Sequence, residues 1–152
     1  MGMFTGIEIS SSALTAQRLR MDIISNNIAN QGTTRSGQLD ADGMPLPHRR
    51  EFPVFEAGVS FSSYLKESGA GLETDNKPGV RVTAILEDNA PFPLIYNPGH
   101  PDADADGYVR MPNVDVMQEM VDMIGASRAY EASISALNAS KDMSIRAIEI
   151  GR

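Results

Sequence analysis

The stretch from Asn113 to Ile150 contains no proline and a single glycine, Gly125. It predicts one long helix, because proline and glycine are the residues that most often interrupt a helix. At about 100° per residue, the apolar side chains of its first part cover an arc of roughly 180°, leaving Gln118, Glu119 and Asp122 on the other side. The apolar set is Val114, Val116, Met117, Met120, Val121, Met123 and Ile124. A surface helix needs only about 100° of apolar surface, so more than one packing partner is expected.

Apolar residues continue along this helix at the alternating four-three spacing of a coiled-coil seam. The predicted seam contains Val116, Met120, Met123, Ser127, Tyr130, Ile134 and Leu137. A second line contains Ala136, Ala139, Met143, Ala147 and Ile150. Two lines predict two or more partner helices, although composition alone leaves open a core helix of a compact bundle. At the start, Asn113 or Asp115 can cap the helix, and Asp115 with Gln118 has the spacing of a capping box.

A second helix is predicted from Thr5 to about Asn30. Leu14, Met21 and Ile28 recur every seven residues, with Ile9 and Ile24 beside them, so this helix also has a wide apolar arc. It ends in the asparagine-rich run 26–34, which allows two interpretations. The asparagine amides could bridge to neighbouring chains, or the run could be a simple helix end with Gly32 in the left-handed conformation.

The middle of the chain predicts a small β module, because short alternating stretches are broken by prolines and polar loops. The predicted strands are 49–55, 59–65, 79–87 and 92–96, with a short extended piece at 108–110 and polar loops at 36–43 and 66–79. We therefore predict an α+β fold with residues 1–32 as an N-terminal helical arm, 33–110 as the β module, and 111–152 as the C-terminal helix completing the arm domain.

Charge and composition exclude several classes of function. The net charge of −7 and the pI of about 4.7 argue against nucleic-acid binding, which requires clustered basic side chains. The absence of cysteine excludes disulfides and thiolate metal sites. The N-terminus lacks the features of a secretory signal, and no stretch is apolar enough to span a membrane. These features predict a cytoplasmic protein, or one exported without cleavage of a signal.

One candidate metal site is visible in the sequence. Residues 102–107 match the first half of an EF-hand loop, with carboxylates at positions 1, 3 and 5 and glycine at 6. Position 12, which supplies a bidentate carboxylate in such loops, is Asn113. Calcium binding is therefore disfavoured. His48 and His100 have no nearby histidine and no marked partner, and no nucleophile elbow or phosphate-binding loop occurs. We predict no catalytic residue, no metal and no cofactor, and hence no enzyme.

Both ends of the chain resemble a known family. Residues 12–30, which end in Asn26-Asn27-Ile28-Ala29-Asn30, resemble the N-terminal signature of bacterial flagellar rod and hook proteins, the axial family. Residues 97–116 and the stretches 119–123 and 127–132 are similar to segments that mark proximal-rod members of that family. Together these segments cover about half of the chain, whereas 36–43 and 66–79 look like additions.

The resemblance implies a structural subunit of the basal-body rod, which crosses the periplasm and transmits rotation. It implies that the two terminal helices pair as an antiparallel coiled coil and that subunits assemble helically with copies of themselves and with other rod proteins. It further implies export by the flagellar type III apparatus without cleavage, with the inner-membrane ring and the distal rod as neighbours. No nucleic acid and no direct membrane insertion are expected.

The residues expected at subunit interfaces combine the apolar faces of the two helices with the asparagine-rich turn. They are Leu14, Leu19, Met21, Ile23, Ile24, Asn27, Ile28, Asn30, Met117, Met120, Val121, Met123, Ile124, Tyr130, Ile134 and Leu137. The competing hypotheses are another flagellar axial subunit, such as a hook protein, and a calcium-regulated helical adaptor.

Overall fold

The computed structural model describes residues 5–40, 43–58 and 79–151, and it contains two long helices and four strands. In chain order these are α1 (Thr5–Ala29), β1 (Glu51–Ala57), β2 (Val80–Glu87), β3 (Leu94–Tyr96), β4 (Tyr108–Arg110) and α2 (Val116–Ile150). The predicted α+β class is confirmed. The predicted strand 59–65 and nearly all of the predicted loop 66–79 lie outside the described residues, as do residues 41–42 of the other predicted loop.

The chain divides into two compact units. The first unit comprises Met1–Arg20, Pro53–Ala84 and Gly125–Arg152. The second unit comprises Met21–Phe52 and Ile85–Ile124. Each unit thus draws on both long helices and on the β strands between them. The predicted division into an N-terminal arm, a β module and a C-terminal helix stays a prediction.

The strands form two separate two-stranded sheets, β1 with β2 and β3 with β4. β3 and β4 are antiparallel, with Leu94 opposite Arg110 and Tyr96 opposite Tyr108. The rings of Tyr96 and Tyr108 meet edge to face, with their centroids 5.3 Å apart, while Val109 is buried beneath the sheet. The predicted strands 49–55, 79–87 and 92–96 and the extended piece 108–110 therefore correspond to β1, β2, β3 and β4.

Position 107, at the turn before β4, requires a glycine. Gly107 has a φ of 82°, which lies in the region that L-residues rarely adopt. A Cβ at this position would lie 3.0 Å from the ring of Tyr96 and 3.2 Å from Cβ of Pro98. The Gly107 carbonyl accepts a hydrogen bond of 2.9 Å from the Asn97 N–H. The turn therefore fixes the register of the sheet formed by β3 and β4.

The buried side of α2 follows a three-four spacing that differs from the predicted seam. We call this row the inner seam; all of its members are buried or half-buried. It contains Val116, Glu119, Met123, Ala126, Tyr130, Ser133, Leu137, Ser140 and Ser144. Four predicted seam residues belong to it, but Met120, Ser127 and Ile134 are exposed. The prediction followed apolar residues, whereas small ones line much of the inner side.

Small residues let the two helices approach closely in the first unit. A Cβ built on Gly6 would lie 2.7 Å from the hydroxyl of Ser140 and 3.6 Å from its Cβ. Ala16 on α1 and Ala126 on α2 are both buried. Ser12 also links α1 to β2, because its hydroxyl donates to the Ile9 carbonyl (2.7 Å) and accepts from the Val80 N–H (3.2 Å). Close packing here depends on side-chain size rather than on hydrophobicity.

The end of α1 is closed by side chains rather than by a left-handed glycine. Asn30 donates to the Asn26 carbonyl (3.0 Å) and accepts from the Thr33 hydroxyl (3.1 Å). Among the described residues, positive φ values occur at three glycines, and Gly32 is not one of them. The prediction of a left-handed Gly32 is therefore wrong, because the Asn30 amide supplies the hydrogen bonds that end the helix.

Candidate assembly interface

A buried carboxylate, Glu119, connects three parts of the second unit. Its side chain is 1% exposed and lies one turn into α2. Glu119 Oε1 accepts from Arg50 Nε at 2.6 Å, and Oε2 accepts from the Asn27 amide at 3.1 Å. Asn27 is itself buried and also bonds the backbone of Glu51, donating to its carbonyl (2.8 Å) and accepting from its N–H (3.0 Å). We call Asn27, Arg50 and Glu119 the polar clamp.

Asn113 and Asp115, the two predicted caps of α2, have different hydrogen-bond partners. The Asp115 carboxylate accepts from the N–H groups of Met117 (2.9 Å) and Gln118 (3.4 Å), so Asp115 is the cap. Gln118 donates to Asp122 at 3.3 Å instead of returning to the cap, and the reciprocal half of the predicted capping box is therefore not formed. The Asn113 side chain instead accepts from the Arg50 N–H and donates to the Asp88 carbonyl.

The polar clamp determines which face of α2 is left outside in the second unit. Because Glu119 points inward, neighbouring positions on the opposite side of the helix point outward. Met117, Met120, Val121 and Ile124 occupy those positions and are 73%, 52%, 63% and 55% exposed. We call these four residues the methionine face. Four adjacent apolar side chains exposed together on one helix are the typical mark of a surface that binds another protein.

The sixteen predicted interface residues fall into three groups by burial. Ile23, Ile24 and Asn27 are buried within the chain. The half-buried ones are Leu14, Leu19, Met21, Ile28, Asn30, Met123, Tyr130 and Leu137. The exposed ones are the four residues of the methionine face together with Ile134. Four of the five exposed members thus lie together in the methionine face of the second unit, whereas Ile134 belongs to the first unit.

The acidic segment 102–106 is held by hydrogen bonds within the chain. Asp102 accepts from Thr34 (2.8 Å) and from Arg35 Nε (2.6 Å). The Arg35 guanidinium, followed by the Thr34 hydroxyl, lowers the pKa of the Asp102 carboxyl below its ordinary value. Asp104 accepts from the N–H groups of Asp106 and Tyr108. Among the described residues, no group of three or more His, Cys, Asp or Glu side chains could hold a metal ion.

Sequence reasoning missed the central role of two charged residues. It placed Glu119 on the polar side of α2, whereas the structure buries it. It also assigned no role to Arg50. One signal was present, because Glu119 stands at a three-four position between Val116 and Met123. A buried carboxylate requires donors, but its partners, Asn27 and Arg50, lie far away in sequence.

The role of Arg49 was also missed, because its partners, Phe92 and Asp88, lie far from it in sequence. Its guanidinium carbon lies 4.5 Å from the centre of the Phe92 ring, and Nη1 donates to the Asp88 carbonyl at 3.1 Å. A guanidinium at this distance from an aromatic face makes a favourable cation–π contact. Arg49 and Arg50 together therefore connect the residues at the start of β1 to the segment 88–92 and to α2, and both guanidinium groups have partners inside the chain.

No helix within the described parts of the chain is both long enough and apolar enough to cross a lipid bilayer.

We expect Glu119→Ala to lower the free energy of unfolding by about 2–3 kcal/mol, because it removes the buried acceptor of Arg50 Nε and of one Asn27 amide N–H. Arg50 keeps its 3.7 Å contact with Asp122, and Asn27 keeps its bond to the Glu51 carbonyl. This loss of stability is smaller than the loss expected when a fully buried ion pair is broken, since the Arg50 side chain remains 26% exposed. Urea unfolding followed by circular dichroism measures the change. Glu131→Ala, which removes an exposed carboxylate from the same helix, should cost within about 0.5 kcal/mol. Equal effects of the two changes would contradict the clamp.

We expect Arg35→Ala to raise the pKa of Asp102 toward its ordinary value of 3.8. Because the folded state lowers this pKa, the ion pair stabilises the fold above pH 3.8 and loses its effect as the pH falls through the lowered value. Titration of the carboxyl carbon by NMR measures the pKa in both proteins. Arg146→Ala, which removes an exposed cation elsewhere, should leave it unchanged. An unaltered pKa in the Arg35 variant would disprove the pairing.

Comparison with known proteins identifies the family. The model described as "Flagella basal body rod protein" matches residues 7–35. The model described as "Flagellar basal body rod FlgEFG protein C-terminal" matches residues 105–150. The first match contains most of α1 and the asparagine-rich turn, and the second contains β4 and all of α2.

Curated relatives match along the whole chain. The flagellar basal-body rod protein FlgC of Bacillus subtilis is 45% identical, with 100% of both chains covered. FlgC of Borreliella burgdorferi is 46% identical over 99% of this chain and 98% of the relative. FlgC of Salmonella typhimurium is 37% identical over 100% of both chains. The resemblance deduced from the two ends is therefore confirmed, as is the prediction of a structural protein rather than an enzyme.

The chain belongs to the FlgC family of flagellar basal-body rod proteins and is a structural subunit of the basal-body rod.

Proposed function

We propose that this chain builds the proximal part of the rod by polymerising helically through its terminal helices, in contact with copies of itself and with other rod proteins. The observation that carries the proposal is the exposure of the methionine face. Burying such a surface in an assembly is favourable by about 25 cal/mol per Å². Thioether side chains also adapt to more than one neighbour, which suits a subunit that contacts both its own kind and related chains.

We infer that α1 and α2 pair as an antiparallel coiled coil. The support comes from one contact in each unit: Gly6 lies against Ser140 in the first, and Asn27 bonds Glu119 in the second. The later position on α1 meets the earlier position on α2, as in an antiparallel pair. The separation between Gly6 and Asn27 along α1 also equals that between Ser140 and Glu119 along α2. The three-four spacing of the inner seam is that of a coiled coil.

The polar clamp contributes to the proposed assembly by fixing the orientation of α2. A helix that could rotate about its axis would present several faces, and contacts with neighbours would lose their geometry. Glu119 prevents such rotation, because turning it outward would break its hydrogen bonds to Arg50 and Asn27. A subunit with a fixed outward face is suited to heterologous contacts, which generate helical filaments when the rotation does not close.

The remaining elements of the proposal concern the surroundings of the subunit. We propose export by the flagellar type III apparatus without a cleaved signal, a periplasmic location, and neighbours in the inner-membrane ring and the distal rod. No nucleic-acid partner and no insertion into the membrane are proposed, in keeping with the net charge of −7. We retain the division into an arm domain, formed by residues 1–32 and 111–152, and a β module at 33–110.

The helix pairing is testable with a disulfide, because the chain contains no cysteine. A Cβ at position 6 would lie 3.6 Å from the Cβ of Ser140, within the range of about 3.5–4.5 Å found in disulfides. We expect the double variant Gly6→Cys/Ser140→Cys to form an intramolecular disulfide on mild oxidation, seen as a loss of free thiol in the monomer by mass spectrometry. The pair Gly6→Cys/Ser133→Cys, displaced by roughly 10 Å along α2, should remain reduced. Equal oxidation of both pairs would reject the pairing.

The assembly face is testable by placing a charge on it. We expect Met117→Asp and Ile124→Asp to reduce incorporation into the rod at least about tenfold and to abolish motility, since burial of an unpaired carboxylate is strongly unfavourable. Both side chains are exposed, so the monomer should fold normally. Isolated basal bodies and swimming assays provide the measurements. Ala105→Asp, which adds the same charge at an exposed loop position, is the matched control. Normal rods in both helix variants would refute the proposed interface.

A further inference from the structure

The strand β3 has one side without a hydrogen-bonded neighbour. The Asn97 N–H donates to the Gly107 carbonyl of the turn before β4, and the direction of backbone groups alternates along an antiparallel strand. Leu94 and Tyr96 therefore direct their N–H and C=O groups away from β4. Within the described part of the chain, no other segment forms hydrogen bonds with these groups. We call the outward backbone groups of Leu94 and Tyr96 the open edge.

The other edge of the same sheet is covered by the chain itself. The Asp104 N–H donates to the Tyr108 carbonyl at 2.9 Å, and Asp104 Oδ1 accepts from the Tyr108 N–H at 2.8 Å. Proteins usually cover or charge their sheet edges, because unpaired backbone groups are a template for pairing with another chain. The chain thus covers β4 and leaves β3 available for an additional strand.

The surroundings of the open edge define what it can bind. The three residues of β3, Leu94, Ile95 and Tyr96, are 62%, 50% and 64% exposed. Residues 89–99 contain no charged side chain. Pro98 has no N–H, so the row of outward donors ends after Tyr96. The open edge therefore suits a short, uncharged segment in an extended conformation, bound by backbone hydrogen bonds.

One segment of the sequence has these properties. Outside α1 and α2, a run of six or more residues without charge and without proline occurs once, at 57–65. Residues 59–65 in this run carry the alternating pattern of a predicted strand. The chain leaves β1 at Gly58 and returns to β2 at Gly79, and the Gly58 N–H donates to the Gly79 carbonyl at 2.6 Å. The segment 59–65 is thus attached directly to the end of the sheet formed by β1 and β2.

We propose that the open edge of β3 binds residues 59–65 of a neighbouring copy as an added strand. The N–H and C=O groups of Leu94 and Tyr96 supply four backbone hydrogen bonds, and an uncharged segment leaves no unpaired charge beside the apolar side chains. The edge and the segment are different surfaces, so each copy can bind one neighbour and be bound by another without closing into a dimer. The inference rests on the proposed function in one respect, because it requires copies side by side in the rod.

Crosslinking tests the added strand, because the chain contains no cysteine. Ser62 is central in 59–65 and Ile95 is central in β3, and paired strands lie about 4.8 Å apart. Basal bodies from cells producing a Ser62→Cys chain together with an Ile95→Cys chain should yield covalent dimers with a short bis-maleimide. Ile95→Cys alone should yield none. Leu39→Cys, at an equally exposed position outside β3 (68%), should yield none with Ser62→Cys.

The outcomes separate this inference from the proposed function. Rods without the crosslink between Ser62→Cys and Ile95→Cys, equal crosslinking with Leu39→Cys, or dimers of Ile95→Cys alone would each overturn the added strand. None of these results would affect polymerisation through the terminal helices. Absence of the wild-type chain from isolated rods would instead reject the proposed function.

A charge on the open edge provides a second test. Leu94→Lys should reduce incorporation into the rod at least about tenfold, because a charged side chain on an edge strand opposes pairing with another strand. The side chain of Leu94 is exposed, so the fold of the subunit should be retained. Leu39→Lys, the same change at an exposed position away from β3, should stay within about twofold of wild type. The amount of the chain in isolated basal bodies measures both effects, and equal incorporation of the two variants would contradict the added strand.

Discussion

The carboxylate of Glu119 is the constraint on which the second unit depends. A charge removed from water requires close hydrogen-bond donors, and the chain supplies them from two distant places. Asn27 comes from the end of α1, and Arg50 comes from the residue before β1. Each partner is fixed in turn by backbone contacts, Asn27 through Glu51 and Arg50 through Asn113. The start of α2 is therefore joined to the end of α1 and to the first sheet through one side chain.

The same constraint explains why an apolar face is left in solvent. A helix with a wide apolar arc would ordinarily turn that arc toward its own core. Here Glu119 occupies the inner position, and the methionine face is turned outward at the expense of its burial within the chain. Such an orientation is unfavourable for an isolated subunit and favourable for one that completes its packing against neighbours. Membership of a rod-protein family agrees with this arrangement.

Small residues of α2 face α1, whereas larger apolar residues of the same helix are exposed. In the first unit the inner seam carries Ala126, Ser133 and Ser140, which allow close approach of α1, as the contact between Gly6 and Ser140 shows. Larger apolar side chains beside the inner seam, including Ile134 and Ile145, are left exposed. The helix thus uses its small residues within the chain and leaves part of its large apolar surface exposed. This division explains how one helix can present more apolar surface than one partner can cover.

The sequence by itself determined the two helices, the four described strands within a few residues, the α+β class and the family. These features depend on local periodicity, on proline and glycine punctuation, and on motifs confined to short segments such as Asn26–Asn30. Only the tertiary structure decided which face of α2 lies inside, because apolar periodicity cannot show that Glu119 finds Arg50 and Asn27. It also decided that Asn30, rather than Gly32, ends α1. For the face of α2, the physical reason is that hydrogen bonds between residues distant in sequence can outweigh the burial of a few apolar side chains. For the end of α1, it is that the local bonds of Asn30 with Asn26 and Thr33 replace those of a left-handed glycine.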